Sequence, residues 1–483
     1  PGRKPGREPG WKSRSLGIVA AKEFAERRKQ RRGNTASTQT SKDVSGRAVR
    51  DIAVETLRAI RQDGRTLEAA FLTATERGDL TQRDRGLARA IILLSLRHYH
   101  SLGAVLESYL DRGWPARSGA FRDILTVAAA QIIELRVPAH AAINIAVEQA
   151  RSDRRAVPFA KLANAVLRRV SETGAERFEA LTPGELDVPA WMRRRWEEAY
   201  GAEKAQSIAA ASLTPAALDL TVKPDPAVAA MADGAGWLRL PTGSYRSPFS
   251  GAVEAMDGYA DGHWWVQDAA AAIPVGLLRF APGDSVLDVC AAPGGKTAQL
   301  VARGAHVTAL DKSKNRLARV SENLERLSYA ATLLTADALK WQPDQLFGAV
   351  LLDAPCSASG TLRRHPEMLH NRTEDSWDAL VDTQRALLAR VAGWLKPGGS
   401  LVYCVCSLEP TEGPGQVTDA ICNSLGLVAD PIVPGEASVP AELITSEGHL
   451  RTFPDDWDNL GENVVPGLDG FFAARFRKSG ERK

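Results

Sequence analysis

The sequence predicts a multidomain protein: an all-α bundle followed by a doubly wound α/β domain. Three observations carry this expectation. At 483 residues the chain is longer than one ordinary core accommodates. Between about Gly46 and Gly174 the apolar residues recur at helical spacing throughout. From Ser285 short apolar runs alternate with helical stretches, the rhythm of a parallel sheet with helices on both faces.

The ends and the bulk composition narrow the class. An apolar content of 44% with 25% charged residues is that of a globular protein. No apolar stretch approaches a membrane span and no secretory signal is read at the N-terminus, so no membrane partner is expected. Five cysteines, none in a C-x-x-C pair, argue against a disulfide framework or a zinc site; free thiols point to the cytoplasm. Residues 1–45 hold 12 Lys/Arg and 4 Asp/Glu, a net of +8, so the rest carries +3 minus +8, or −5. A basic arm on a near-neutral body suits a polyanion partner, and a merely solubilising arm is the alternative. An Arg-rich organelle leader is disfavoured by Glu8, Glu23 and Glu26.

Residues 1–45 are Gly/Pro/Arg/Ser-rich and expected to be disordered, apart from a short helix around 18–32. Residues 46–175 form the helical domain. Val49, Ile52, Ala53, Leu57 and Ile60 make one stripe, and Thr81-Gln82-Arg83-Asp84 starts the helix that carries Leu87, Ile91, Leu94 and Leu96. Phe121, Ile124, Leu125, Ala128, Ile132 and Leu135 make another stripe, ended by Val137-Pro138; helices over 143–150 and 160–170 follow. After a Pro/Gly-punctuated stretch, 190–280 is a mixed connecting region that opens with a helix over 191–200. In 281–480 the expected strands are 285–290, 306–311, 332–337, 347–353 and 400–407, with a last one over 470–476.

The first strand runs into Cys290-Ala291-Ala292-Pro293-Gly294-Gly295-Lys296-Thr297, a glycine pair opening a helix, where backbone can approach a ligand. A P-loop would need glycine where Cys290 stands. Asp311, Asp337 and Asp353 end the next three strands, and carboxylates at one end of adjacent parallel strands line one crevice. Each alone is an ordinary turn or helix cap; three in succession after a glycine turn read as a cofactor site. Cys356 and Cys406 both precede Ser and both follow strands aimed at that crevice. A lone Cys is usually a small buried hydrophobe. Two thiols at a cofactor crevice suit covalent methylation of pyrimidine C5, where a thiolate on C6 makes C5 nucleophilic and Asp353 meets the N3/N4 edge. The residues leave open which cysteine attacks.

The chain resembles the bacterial RsmB/Sun/Fmu-type ribosomal RNA cytosine-5 methyltransferases of the Nop2/Sun family, from about Gly46 to Lys478. The blocks that carry this are Cys290–Lys296, Asp353-Ala354-Pro355-Cys356-Ser357, Arg363-Arg364-His365-Pro366, Asn164-Ala165-Val166-Leu167-Arg168-Arg169 and Asp469-Gly470-Phe471-Phe472. The resemblance implies a NusB-like RNA-binding bundle and a Rossmann-like class I methyltransferase domain. It implies S-adenosylmethionine held by Cys290, Ala291, Ala292, Pro293, Gly294, Gly295 and Lys296, with Asp311, Asp337 and Asp353. It also implies Cys406 as nucleophile, Cys356 in product release and RNA (16S rRNA) as partner; ligand spacing suggests no metal, and a monomer is expected. Two departures stand out. Cys404-Val405 replaces the usual Ala/Ser-Thr before the nucleophile, and 218–223 lacks the usual Arg-Val-Asn pattern. Arg363 and Arg364 are candidates to grip phosphates, and Trp191, Trp196, Trp264 and Trp265 to stack on bases, with core packing the safer reading for the tryptophans. The rival readings are a silent RNA-binding assembly or antitermination factor, and a cytosine-5 methyltransferase acting on another RNA such as tRNA.

Overall fold

The computed structural model describes residues 39–76, 80–249, 251–461 and 464–480. The chain divides into two compact units, one ending at Asp187 and the other beginning at Val188. Most of the basic arm, including the helix expected over 18–32, lies outside the described residues.

The first unit is helical: Gln39–Asp63, Leu67–Thr75, Gln82–Arg97, Tyr99–Glu107, Phe121–Ile133, Ala139–Ser152 and Ala160–Glu179. The first helix begins inside the segment expected to be unstructured, at Gln39 rather than near Gly46. The third starts where the sequence places it, with the Thr81 hydroxyl accepting the Asp84 N–H at 3.2 Å. The predicted stripes meet in one core of Val49, Leu57, Ile60, Ile91, Phe121, Leu125, Ala163 and Leu167. Asp123 is buried within it and accepts Arg61 at 2.8 Å and the Tyr99 hydroxyl at 3.3 Å. Asp187 closes the unit by accepting the backbone N–H groups of His100 at 2.8 Å and Ser101 at 3.0 Å, capping the helix Tyr99–Glu107.

The second unit holds two sheets. Strands β1 (Leu218–Val222), β2 (Leu238–Arg239), β3 (Tyr245–Ser247) and β4 (Trp264–Val266) form an antiparallel sheet in the order β2-β3-β1-β4. Asp219 of β1 takes Arg246 of β3 on both oxygens, at 2.7 and 2.8 Å, a buried pair that fixes this register. The larger sheet is built from β5 (Ser285–Val289), β6 (His306–Asp311), β7 (Thr332–Thr335), β8 (Phe347–Asp353), β9 (Leu395–Val405), β10 (Leu427–Ala429), β11 (Leu450–Thr452) and β12 (Phe471–Lys478). Its order is β10-β12-β9-β8-β5-β6-β7, with β11 also on β12. The five strands from β9 to β7 are parallel, as expected. Strand β12 runs antiparallel to β9, and β10 and β11 each pair antiparallel with β12, so the sheet is mixed rather than wholly parallel.

Alternation along each strand feeds two cores. Val286, Ala309, Leu351, Val402 and Ala473 face one, and Leu287, Leu310, Leu352, Tyr403 and Phe472 face the other. The first core also takes Ala270, Ile273 and Leu277 of the helix Ala269–Leu277, which falls within the region expected to be connecting. β5 pairs with β6 on one side and β8 on the other, so the chain's order reverses there, the position where open α/β sheets bind ligands.

Candidate active site

Beyond Val289 the backbone makes a tight turn, with Cys290 at φ +63°, Gly294 at φ +99° and a cis Ala292–Pro293 peptide. The Ala291 N–H donates to the Leu310 carbonyl at 3.1 Å and the Ala292 N–H to Asp311 Oδ2 at 3.2 Å, which stitch the turn to β6. A methyl group on Gly294 would sit 2.9 Å from Val320, so glycine serves both the left-handed conformation and the close approach. The helix Gly295–Ala302 that follows has no side-chain cap. Cys290 is an inert member of the turn, its thiol pushed up to about 12 by burial and then by the charge of Asp353.

The strand-end carboxylates are placed unequally. Asp311 ends β6, is buried, and gives its second oxygen to the Ser313 N–H at 2.9 Å. Asp337 lies beyond the end of β7 at Thr335, where it accepts the Leu339 N–H at 3.0 Å in a turn. Asp353 ends β8, and Lys296 Nζ donates to it at 2.8 Å. The Lys296 ammonium therefore leaves the glycine turn for the opposite side of the crevice. Burial pulls its pKa down, but Asp353, then the Cys404 sulfur, hold it above the ordinary lysine range.

Cys356 and Cys406 come together with their sulfurs 3.5 Å apart, one beyond the end of β8 and one beyond the end of β9. The Cys356 thiol is pushed well up, first by its contact with Cys406, then by burial and the negative charges of Cys406 and Glu412. Cys404 is fully buried in the sheet core, with its sulfur 3.6 Å from Asp353 Oδ1. Burial, then Asp353, push its thiol up as well. The third thiol thus sits under the crevice as packing.

Two acidic residues that the sequence did not single out belong to this site. Asp288 on β5 is buried and accepts the Thr297 hydroxyl at 2.6 Å. Glu412 is buried behind both cysteines and bonds to Ser357 and Ser407. No sequence signal separates Glu412 from the neighbouring Glu409. The arginine pair is a correction. Arg363 is 1% exposed and donates to the carbonyls of Pro215 and Pro466 at 2.7 and 2.6 Å. Arg364 joins Asp268 and Asp469 at 2.7 and 2.8 Å. Arg363 therefore has no surface from which to grip phosphate, and Arg364, partly exposed, spends its guanidinium on two carboxylates of the fold. Trp196, Trp264 and Trp265 are buried and Trp191 packs edge-on against Trp377 at 4.7 Å, so the tryptophans are core.

A doubly wound sheet with a glycine turn at its switch point and paired thiols beside it defines a methyltransferase domain. Residues 275–477 match the family model described as 16S rRNA methyltransferase RsmB/F, and residues 47–172 match the NusB family. Ribosomal RNA small subunit methyltransferase B of Xanthomonas campestris pv. campestris is 35% identical over 90% of this chain and 98% of its own. The protein of the same name from Vibrio cholerae is 32% identical over 82% of this chain and 94% of its own. The crystal structure of PH0851 superposes with a TM-score of 0.64 at 21% identity, covering 90% of this chain and 99% of that one. NSun6 from Pyrococcus horikoshii superposes at 0.50 and 20% identity, over 61% of this chain and 99% of that one. These likenesses show the shared fold. The chain belongs to the RsmB/F methyltransferase family, with a NusB-family helical domain at its N-terminal side.

Proposed function

We propose that the protein methylates C5 of a cytosine in RNA, 16S rRNA in particular, with S-adenosylmethionine as methyl donor and a covalent bond between Cys406 and C6 of the base. The observation that carries this is the pair of sulfurs 3.5 Å apart beside Asp353, at the ends of adjacent parallel strands. The names of the relatives supply the RNA, and the helical NusB-type domain suits an RNA partner.

The residues at the glycine turn fit the donor. The helix Gly295–Ala302 has an uncapped N-terminus, which suits a carboxylate, and Gly294 lets the turn close against Val320 in a left-handed conformation. Cys290 to Lys296 with Asp311, Asp337 and Asp353 would hold it, and when bound it would supply an electrophilic methyl group. Everything else falls to the chain. The Cys406 thiolate adds to C6, moving ring electrons so that C5 becomes enamine-like and forms the new carbon–carbon bond. Asp353, braced by Lys296, accepts from the exocyclic amino group and so favours cytosine over uracil. The C5 proton then leaves to a base, the C6–sulfur bond breaks, and Cys406 is freed. Cys356, whose sulfur touches that of Cys406, is the group placed for this release. The base must be unstacked to expose C6.

Labelled S-adenosylmethionine with unmethylated rRNA tests the assignment. Cys406→Ala is expected to lose at least about a thousandfold in rate. Cys356→Ala is expected to accumulate an RNA–protein adduct that survives denaturation. An adduct that forms in Cys406→Ala but not in Cys356→Ala reverses the roles, and a parent that transfers no methyl to RNA ends the reading.

A further inference from the structure

The two cysteine loops leave different strands, and their serines meet: the Ser357 and Ser407 hydroxyls lie 3.1 Å apart and share one buried carboxylate. Glu412 is 1% exposed, and its carboxylate meets four neutral donors. Oε1 accepts the Ser357 N–H at 2.8 Å and Gln384 Nε2 at 2.9 Å. Oε2 accepts the Ser357 hydroxyl at 2.5 Å and also the Ser407 hydroxyl. Ser357 follows Cys356 and Ser407 follows Cys406, so one carboxylate grips the residue after each thiol. Gln384, itself fully buried, extends the grip by donating to the Pro355 carbonyl at 3.0 Å, on the other side of Cys356. The Tyr403 hydroxyl donates to the Glu412 carbonyl at 2.6 Å and anchors the clamp to β9. A buried carboxylate is costly, and an apolar residue of similar volume commonly serves stability as well or better. Its use here therefore points to geometry at the thiols.

Taking the proposed chemistry as given, we propose that Glu412 is a positioning residue that holds Cys356 against Cys406 by bridging Ser357 and Ser407. It touches no reacting atom and acts through the two loops. Its negative charge has a second effect, because it lies near the Cys356 sulfur and opposes ionisation there, after Cys406 and burial. The two thiols are thereby kept in different roles as well as in contact.

Glu412→Gln is the informative variant, since it keeps the volume and removes the charge. The amide oxygen can still meet the Ser357 N–H and Gln384, but the amide nitrogen is a donor where Oε2 accepted both serine hydroxyls, so the hydroxyls lose their shared acceptor and the bridge between the loops weakens. Glu412→Ala strands all the donors and serves only as a folding control. In the full chain, Glu412→Gln is expected to lower kcat by about 10- to 100-fold, the order that a misplaced catalytic group costs. KM for S-adenosylmethionine should stay within about twofold, because the glycine turn is untouched. Without RNA, the pH profile of Cys356 alkylation by iodoacetamide, read by peptide mass spectrometry, should move to lower pH. A kcat equal to the parent's with an unchanged alkylation profile overturns the inference. So does a fall in kcat that comes with a lower Tm and an unmoved profile, since that describes a merely structural residue. The alkylation arm needs no RNA, so failure of the clamp is distinguished from a parent that forms no adduct with any RNA.

Discussion

Asp288 shows how a single residue can matter without being visible in the sequence. Its Oδ2 holds the Thr297 hydroxyl and its Oδ1, buried, meets no hydrogen-bond donor among the described residues. Burial, with the charges of Asp353 and Asp311 adding and the Thr297 bond opposing, pushes its carboxyl up to about 7. The folded protein therefore favours the protonated form more than the unfolded chain does. That contribution is complete below about pH 4 and is lost as pH rises through about 7. Asp288→Asn is expected to show a shallower decline of stability across this window in denaturant titrations at a series of pH values. A decline equal to the parent's would count against the assignment. Some slope should remain, because burial raises Glu409 to about 7 and Asp469 to about 6 in the same unit. At this scale the sequence was legible where residues act in short patterns, as in Cys290 to Lys296 or the two Cys-Ser pairs. It was not legible for Asp288, Glu412 or Arg363, whose roles come from the groups that fold around them.

Among the elements, the turn Ser359–Thr361 has the least room. A Cβ added at Gly360 would lie 1.9 Å from the Gly470 carbonyl oxygen. Gly470 N–H donates to the Gly360 carbonyl at 2.8 Å, and Gly360 N–H to the Cys406 carbonyl at 3.1 Å. This backbone contact joins the Cys356 loop, the end of β9 and the start of β12. Gly360→Ala is expected to cost about 1–3 kcal/mol, seen as a lower denaturation midpoint at unchanged slope, and to lower activity. Gly393→Ala, where nothing lies within 4 Å of the added Cβ, is the control and should do neither. An unperturbed Gly360→Ala would show that the contact is not tight. The long periodic helices and the five parallel strands were legible because each repeats its pattern over enough residues. β10 and β11, three residues each, carry no period to detect. The helix Ala269–Leu277 is masked by Pro274 inside it. β12 pairs antiparallel with β11, and among the described residues no helix lies between the two to carry the chain back across the sheet.

For the whole molecule, the division at Asp187 is itself testable. A fragment spanning 39–187 is expected to fold alone with one cooperative thermal transition by circular dichroism, since its core is closed within those residues. Asp187→Ala within it should cost about 1–2 kcal/mol, because the carboxylate caps the N–H groups of His100 and Ser101. A fragment without cooperative unfolding, or one indifferent to Asp187→Ala, would refute this. Two domains were expected from length and from the change of periodicity. The sequence did not mark Asp187 as the residue that closes the first, because its partners lie 86 and 87 positions earlier.

By itself the sequence determined the helical and doubly wound domains, the glycine turn and two thiols that each follow a strand. These depend on residues that are neighbours along the chain, whose spacing fixes local backbone preferences and the face each side chain shows. Only the tertiary structure decided that the Cys356 and Cys406 sulfurs touch, that Lys296 turns to Asp353, that Arg363 is buried and that Arg364 pairs with Asp268 and Asp469. It also decided that one carboxylate, Glu412, grips both loops. The thiol contact and the Glu412 grip follow from β9 lying next to β8, and the Lys296 contact from β8 lying next to β5; strand order is set by packing of the whole domain rather than by any local pattern.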